Sequence, residues 1–172
     1  MLGEPVDTLF LSDFDKRWAK AYELEKGYLK KILGNFTYVV EHIGSTTMSG
    51  LRSRPIVDLA LGVGNKHDQV AIRDLLNKYT YTYCEDLSNL DVFTFKRDIE
   101  GKTIFTVRIF VFGSDTWNFT IKMRNYLIDN IIAREKYSSA KADFLNGAGN
   151  DKAKYCELKK KYINREIASH IM

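Results

Sequence analysis

The chain has 172 residues, 45% hydrophobic and 28% charged, and 26 Lys and Arg against 22 Asp and Glu leave a net charge of +4. Such a length suits one domain over residues 1–172, and the composition excludes both an intrinsically disordered chain and a membrane-spanning one. The positive excess, gathered in Lys152 to Lys161 and around Arg52 and Arg54, fits a phosphate-bearing small molecule about as well as nucleic acid.

Ser12 followed by Asp15 reads as the N-cap of a first helix, with Phe14, Trp18, Tyr22, Leu29 and Leu33 at helical spacing until Gly34-Asn35. Phe36 to Ile43 is rich in β-branched and aromatic residues and reads as a strand ended by Gly44-Ser45. Pro55 opens a second strand, Ile56 to Val63, on which Val57, Leu59, Leu61 and Val63 face one side and Ile56, Asp58, Ala60 and Gly62 the other.

A short helix follows over Asp68 to Lys78, then strand-like residues from Tyr79 to Cys84. A hairpin pairs Val92 to Lys96 with Thr103 to Phe112. After Gly113 the spacing predicts three helices: from Ser114 or Asp115 through Ile128, from about Ile131 to Leu145, and from Asp151 to the end. Asn146-Gly147-Ala148-Gly149-Asn150 separates the last two. The expected class is α+β (α/β): a mixed sheet over about 36–112, flanked by helices, with a C-terminal helical block over about 114–172.

Chemistry concentrates in His42 to Asp58. A strand ending in Gly-Ser brings backbone N–H groups and a hydroxyl to one point, where anions bind. Asp58 lies in an apolar strand, where a carboxylate needs a rim position, a partner or a cation. Together they suggest Mg²⁺ beside a polyphosphate. Arg52, Arg54, Arg124, Lys141 and Lys159 read first as solvated charges, with Arg124 the best functional candidate because its helix is otherwise apolar. Tyr126, Tyr137 and Tyr155 read as core.

His42-Ile43-Gly44-Ser45-Thr46, a loop ending Gly50-Leu51, a basic residue with proline (Arg54-Pro55), and a hydrophobic strand carrying Asp58 resemble the GrpB family pattern. Trp18, Tyr22, Glu25 and Leu29 resemble its first helix, and Trp117 with Arg124-Asn125-Tyr126-Leu127 a later one. Tyr137 with Lys141, and Tyr155 with Lys159, resemble its paired Tyr-x-x-x-Lys helices. The resemblance implies a nucleotidyltransferase-like fold, but Ala60 stands where that superfamily has its second acid, and Arg108 lies on the strand expected to supply a third.

What the resemblance implies for the site is Ser45 and Asp58 as catalytic candidates and Asp58 as ligand to a Mg²⁺ cofactor. His42, Gly44, Ser45, Thr46, Arg52, Arg54, Arg108 and Arg124 are then the ligand-binding set. The expected partner is a nucleotide or other phosphate-bearing small molecule, not nucleic acid or a membrane. Two readings stay open: a phosphate-ligand protein in which nucleotidyl transfer is in doubt, and a non-catalytic interaction or folding-assistance module with a protein partner, as in family members fused behind dephospho-coenzyme A kinase. Met1 to Leu11 lacks the basic and apolar regions of a signal peptide, and Cys84 and Cys156 have no metal-like spacing, so a reducing cytoplasm is the expected setting.

Overall fold

The structure, a computed structural model, describes residues 1–171. Its elements in chain order are β1 (Glu4–Pro5), α1 (Arg17–Leu33), β2 (Tyr38–Ile43), β3 (Val57–Val63), α2 (Lys66–Leu76), β4 (Thr82–Tyr83), β5 (Phe93–Ile99), β6 (Lys102–Val111), α3 (Asp115–Asp129), α4 (Ile131–Ala148) and α5 (Lys152–Tyr162). A π-turn at Ile163–Ile167 follows α5. The sheet runs β2-β3-β6-β5-β4, with β1 antiparallel to the start of β6. Among the described residues only β3 and β6 pair in parallel, which makes the sheet mixed as expected.

Strand alternation divides the apolar residues between two layers. On one face Val57, Leu59, Leu61 and Val63 join Val107 and Ile109 in a core closed by Trp18, Leu29 and Leu33 of α1 and Ile72 and Leu76 of α2. On the other, Ile43, Ala60 and Phe110 pack under Trp117 of α3. The helices beyond form a core of their own around Leu127, Tyr137, Phe144, Tyr155 and Ile167, to which Met48 and Leu51 of the loop before β3 contribute. The sheet therefore carries a helical layer on each face, and Asp58 points toward the C-terminal one.

Several element boundaries differ from expectation, each for a local reason. Ser12 is not a helix cap: its N–H and carbonyl pair with Ser53 at 2.8 and 2.9 Å, and α1 starts later, where Asp15 accepts the Arg17 N–H at 2.9 Å. The sheet also begins before residue 36, because Glu4–Pro5 adds β1 to it. The strand expected over Tyr79 to Cys84 shrinks to Thr82–Tyr83. α4 runs through Asn146 and Gly147 and stops at Gly149, whose φ of 62° suits glycine alone. The β5–β6 turn is made by Glu100 and Gly101, both at positive φ (51° and 72°), the conformation that matches a two-residue hairpin to strand twist.

Candidate functional site

Register places three cross-strand rows on the face under the C-terminal helices. Ile43, Asp58 and Thr106 form one, Glu41, Ala60 and Arg108 the next, and Val39, Gly62 and Phe110 the third. At the end of β2 the chain turns at Gly44, with φ 74°, into a single 3₁₀ turn over Ser45–Thr47. A Cβ built on Gly44 would lie 2.4 Å from Asp58 Oδ2. Only glycine allows both that backbone angle and that approach, so the Gly-Ser turn sits directly against the carboxylate.

Around Asp58 the charge is mostly positive. Burial pushes its carboxyl above the usual range, opposed by Lys159, Arg108 and Arg54 and by the neighbouring Thr106 hydroxyl. Lys141 of α4 joins this group and is 2% exposed. Its ammonium has no hydrogen-bond partner among the described residues and lies 5.2 Å from the centre of the Tyr137 ring. Desolvation lowers it from 10.5 to about 6; Lys159 pushes the same way and Asp58 opposes. One turn earlier on the same helix face, the Tyr137 hydroxyl is also buried and unpartnered. Ser45 is the polar group beside it, but the two do not meet in hydrogen-bonding geometry, and desolvation raises the phenol.

Buried polar atoms ordinarily find partners. Two orphans on adjacent turns of α4, facing a Gly-Ser turn and a carboxylate, make an incomplete polar constellation that an added oxyanion would complete. Sequence reasoning placed Lys141 among the solvated charges, and burial corrects that. The signal was present: Tyr137, Ala140, Lys141, Phe144 and Ala148 recur at helical spacing on one buried stripe, so a lysine inside it could not be solvated.

The remaining candidates divide by location. Arg54 gives its fork to the fully buried Glu4 (Nε to Oε1 3.0 Å, Nη2 to Oε2 2.5 Å), and Lys152 approaches the same carboxylate at 3.2 Å. Arg52 is exposed, with Asp13 at 3.4 Å and the Leu11 carbonyl at 3.1 Å. His42 lies on the opposite sheet face from Asp58, stacked on Tyr22 with ring centres 4.8 Å apart and its Nε2 2.9 Å from Thr46 Oγ1. Burial, then Arg124, lowers it to about 4, which makes it neutral at pH 7. Arg124 bonds Glu41 at 2.7 Å and the His42 carbonyl at 2.9 Å, tying α3 to β2. Thus Gly44, Ser45, Asp58 and Arg108 gather on one side, while His42, Thr46 and Arg124 line a hollow of about 280 Å³ near α1.

The donor set does not suit a resident divalent cation. Among the described residues no three His, Cys, Asp or Glu side chains cluster, and Asp58 faces Lys141, Lys159 and Arg108 as well as Arg54, which is already paired with Glu4. Mg²⁺ demands oxygen ligands and is repelled by ammonium and guanidinium neighbours.

The profile of the family described as GrpB protein matches residues 8–169. Glutamate-rich protein GrpB of Alkalihalophilus pseudofirmus is 26% identical over 168 residues, 95% of this chain and 97% of that protein. A UPF0157 protein of Halalkalibacterium halodurans is 36% identical over 75 residues, 44% of this chain and 38% of that protein. Among solved structures, GrpB from Enterococcus faecalis superposes with a TM-score of 0.74 at 22% identity, covering 90% of this chain and 98% of that one. The Cid1 poly(U) polymerase with MgGTP bound superposes at 0.52 and 11% identity, and this chain spans 45% of its length. The GLD-2/RNP-8 complex does so at 0.57 and 15%, with 53% of that chain covered. The fold is nucleotidyltransferase-like, and with the family profile covering nearly its whole length the chain belongs to the GrpB family.

Proposed function

We propose that the largely buried polar cluster of Ser45, Asp58, Tyr137 and Lys141, between the sheet and the C-terminal helices, binds the phosphate groups of a nucleotide or related phosphate ester. The observation that carries the reading is the pair of buried, unpartnered polar atoms, Lys141 Nζ and the Tyr137 hydroxyl, beside Ser45. An oxyanion there would accept from both, from the Ser45 hydroxyl and from backbone N–H groups of the turn, with Lys159 adding charge. The likeness in fold to a polymerase solved with MgGTP supports a nucleotide among phosphate ligands.

Binding is the supported activity; two-metal transfer is not. That chemistry holds two cations between carboxylates to stabilise the attacking and leaving oxygens. Here Ala60 occupies the next position on the Asp58 face, and Arg108 stands opposite it on β6. A Mg²⁺ would have to come with the ligand, held mainly by phosphate oxygens, and Asp58 would offer it a single protein carboxylate. The same residues, Ala60 and Arg108, favour the second reading, a non-catalytic module that acts on a protein partner and keeps the polar cluster as an inherited feature.

Titration calorimetry with pyrophosphate, ATP and Mg-ATP separates these. The wild type binds all three, and Lys159→Ala weakens each. Asp58→Asn strengthens metal-free pyrophosphate, because a negative charge beside the anion is gone, and weakens Mg-ATP relative to it. A folded wild type that gives no heat with any of the three at millimolar concentration sinks the reading.

A further inference from the structure

A second cavity, of about 620 Å³, opens between β6, the segment before β5 and the N-terminal half of α3. Its volume falls within the range of small-molecule sites. Arg108 lines it, Val92, Phe110, Phe119 and Ile171 supply apolar wall, and Thr116 and the acid Asp115 are part of its polar lining. Arg108 is half-buried, and among the described residues its guanidinium is engaged by a ring contact and by the distant Asp58 charge rather than by a hydrogen bond or ion pair. The guanidinium carbon lies 5.3 Å from the centre of the Phe110 ring, which supports the side chain without using its donors. Burial lowers the guanidinium, and Asp58 acts on it through space.

We propose that this cavity is a distinct binding site for a small organic oxyanion, in which Arg108 grips the anionic group and the apolar wall holds a ring or hydrocarbon body. The argument is one of unmet capacity. A guanidinium presents a rigid fork of donors that fits two oxygens of a carboxylate or phosphate, and here the fork adjoins space lined largely by carbon. An inorganic anion would leave that wall uncovered. A purely apolar molecule would leave the fork desolvated and unpaired. A molecule with both parts satisfies the site. The proposal goes beyond the phosphate site, whose donors Lys141, Tyr137, Ser45 and Lys159 do not line this cavity, although Arg108 also acts on the neighbouring Asp58 through space.

Benzoate and phenyl phosphate serve as probes, one for each source of the oxyanion, with inorganic phosphate as the control lacking a body. Saturation-transfer NMR and calorimetry on the full chain should detect at least one of the two aromatic anions, with the preferred one naming the source. Affinity for it falls about tenfold or more in Arg108→Met and survives in Arg108→Lys better than in Arg108→Met. Thr116→Phe, which adds bulk to the lining and leaves Arg108 in place, weakens the aromatic probes as well. Lys141→Met, which disables the proposed phosphate site, leaves both probes bound. Silence of both probes at millimolar concentration overturns the proposal. So does binding indifferent to Arg108→Met and Thr116→Phe, or displacement of the aromatic anion by pyrophosphate, which would merge the two sites.

Discussion

Replacing Lys141 by methionine is expected to stabilise the ligand-free protein by on the order of 2 to 4 kcal/mol at pH 7 while abolishing its affinity for phosphate ligands. The group is 2% exposed, has no partner among the described residues, and titrates at about 6 against an ordinary 10.5. Each unit of such a shift corresponds to about 1.4 kcal/mol, so holding this lysine neutral at neutral pH opposes folding by several kcal/mol. Methionine retains the unbranched apolar stem and removes the ionisable end.

The pH profile identifies the cause. Between about 6 and 10.5 the unfolded chain carries a proton on this side chain that the folded one lacks, so wild-type stability rises with pH across that window. Lys141→Met loses that slope, and its advantage narrows toward the upper end. Denaturant unfolding of both proteins at several pH values reads the difference, and a variant that is less stable than wild type at every pH would contradict the assignment.

Glu4→Ala is expected to destabilise by about 3 kcal/mol, as is usual when one member of a buried ion pair is removed. Glu4 is fully buried, accepts from Arg54 and pairs its charge with Lys152 at 3.2 Å, so one carboxylate joins the N-terminal segment, the loop before β3 and the start of α5. Its loss leaves the Arg54 guanidinium, 24% exposed, without its bidentate partner. The double variant Glu4→Ala with Arg54→Met should be less destabilised than the sum of the two single changes, since no charge is then stranded. Urea unfolding of the four proteins measures this coupling, and strict additivity would show that the pair does no structural work.

How far these features could be read from the chain depends on the range of the interactions that set them. Strand alternation put Asp58, Ala60 and Gly62 on one face, and the structure has them there because a two-residue period has no alternative once Leu59 and Leu61 are core. The hairpin and the last three helices were legible from local turn and cap chemistry: Ser114, Asn130 and Asp151 each accept a backbone N–H at a helix start. Ser12 failed because a tertiary bridge to Ser53 claimed its backbone, which no local pattern announces. The two-residue strand Glu4–Pro5 is too short to leave a pattern at all.

The site shows the same division. The sequence put the Gly44-Ser45 turn and Asp58 in one short segment, but their contact depends on the pairing of Ile43 with Asp58. The separation of His42 from Asp58 follows from the register of β2 against β3, which a single sequence does not state. The burial of Lys141 depends on α4 being covered by α5 as well as by the sheet side, although its place on the Tyr137 to Phe144 stripe was visible.

The most direct test counts protons. Sulfate has no titrating group of its own near neutral pH, so any proton exchanged when it binds belongs to the protein. At pH 7.5 Lys141 is largely neutral in the free protein, and an anion against its ammonium raises it. Calorimetric titrations in buffers of different ionisation enthalpy should therefore show uptake approaching about one proton per sulfate bound, absent in Lys141→Met. Sulfate that binds with no proton uptake, or with the same uptake in the variant, would contradict the claim that an oxyanion completes the buried lysine.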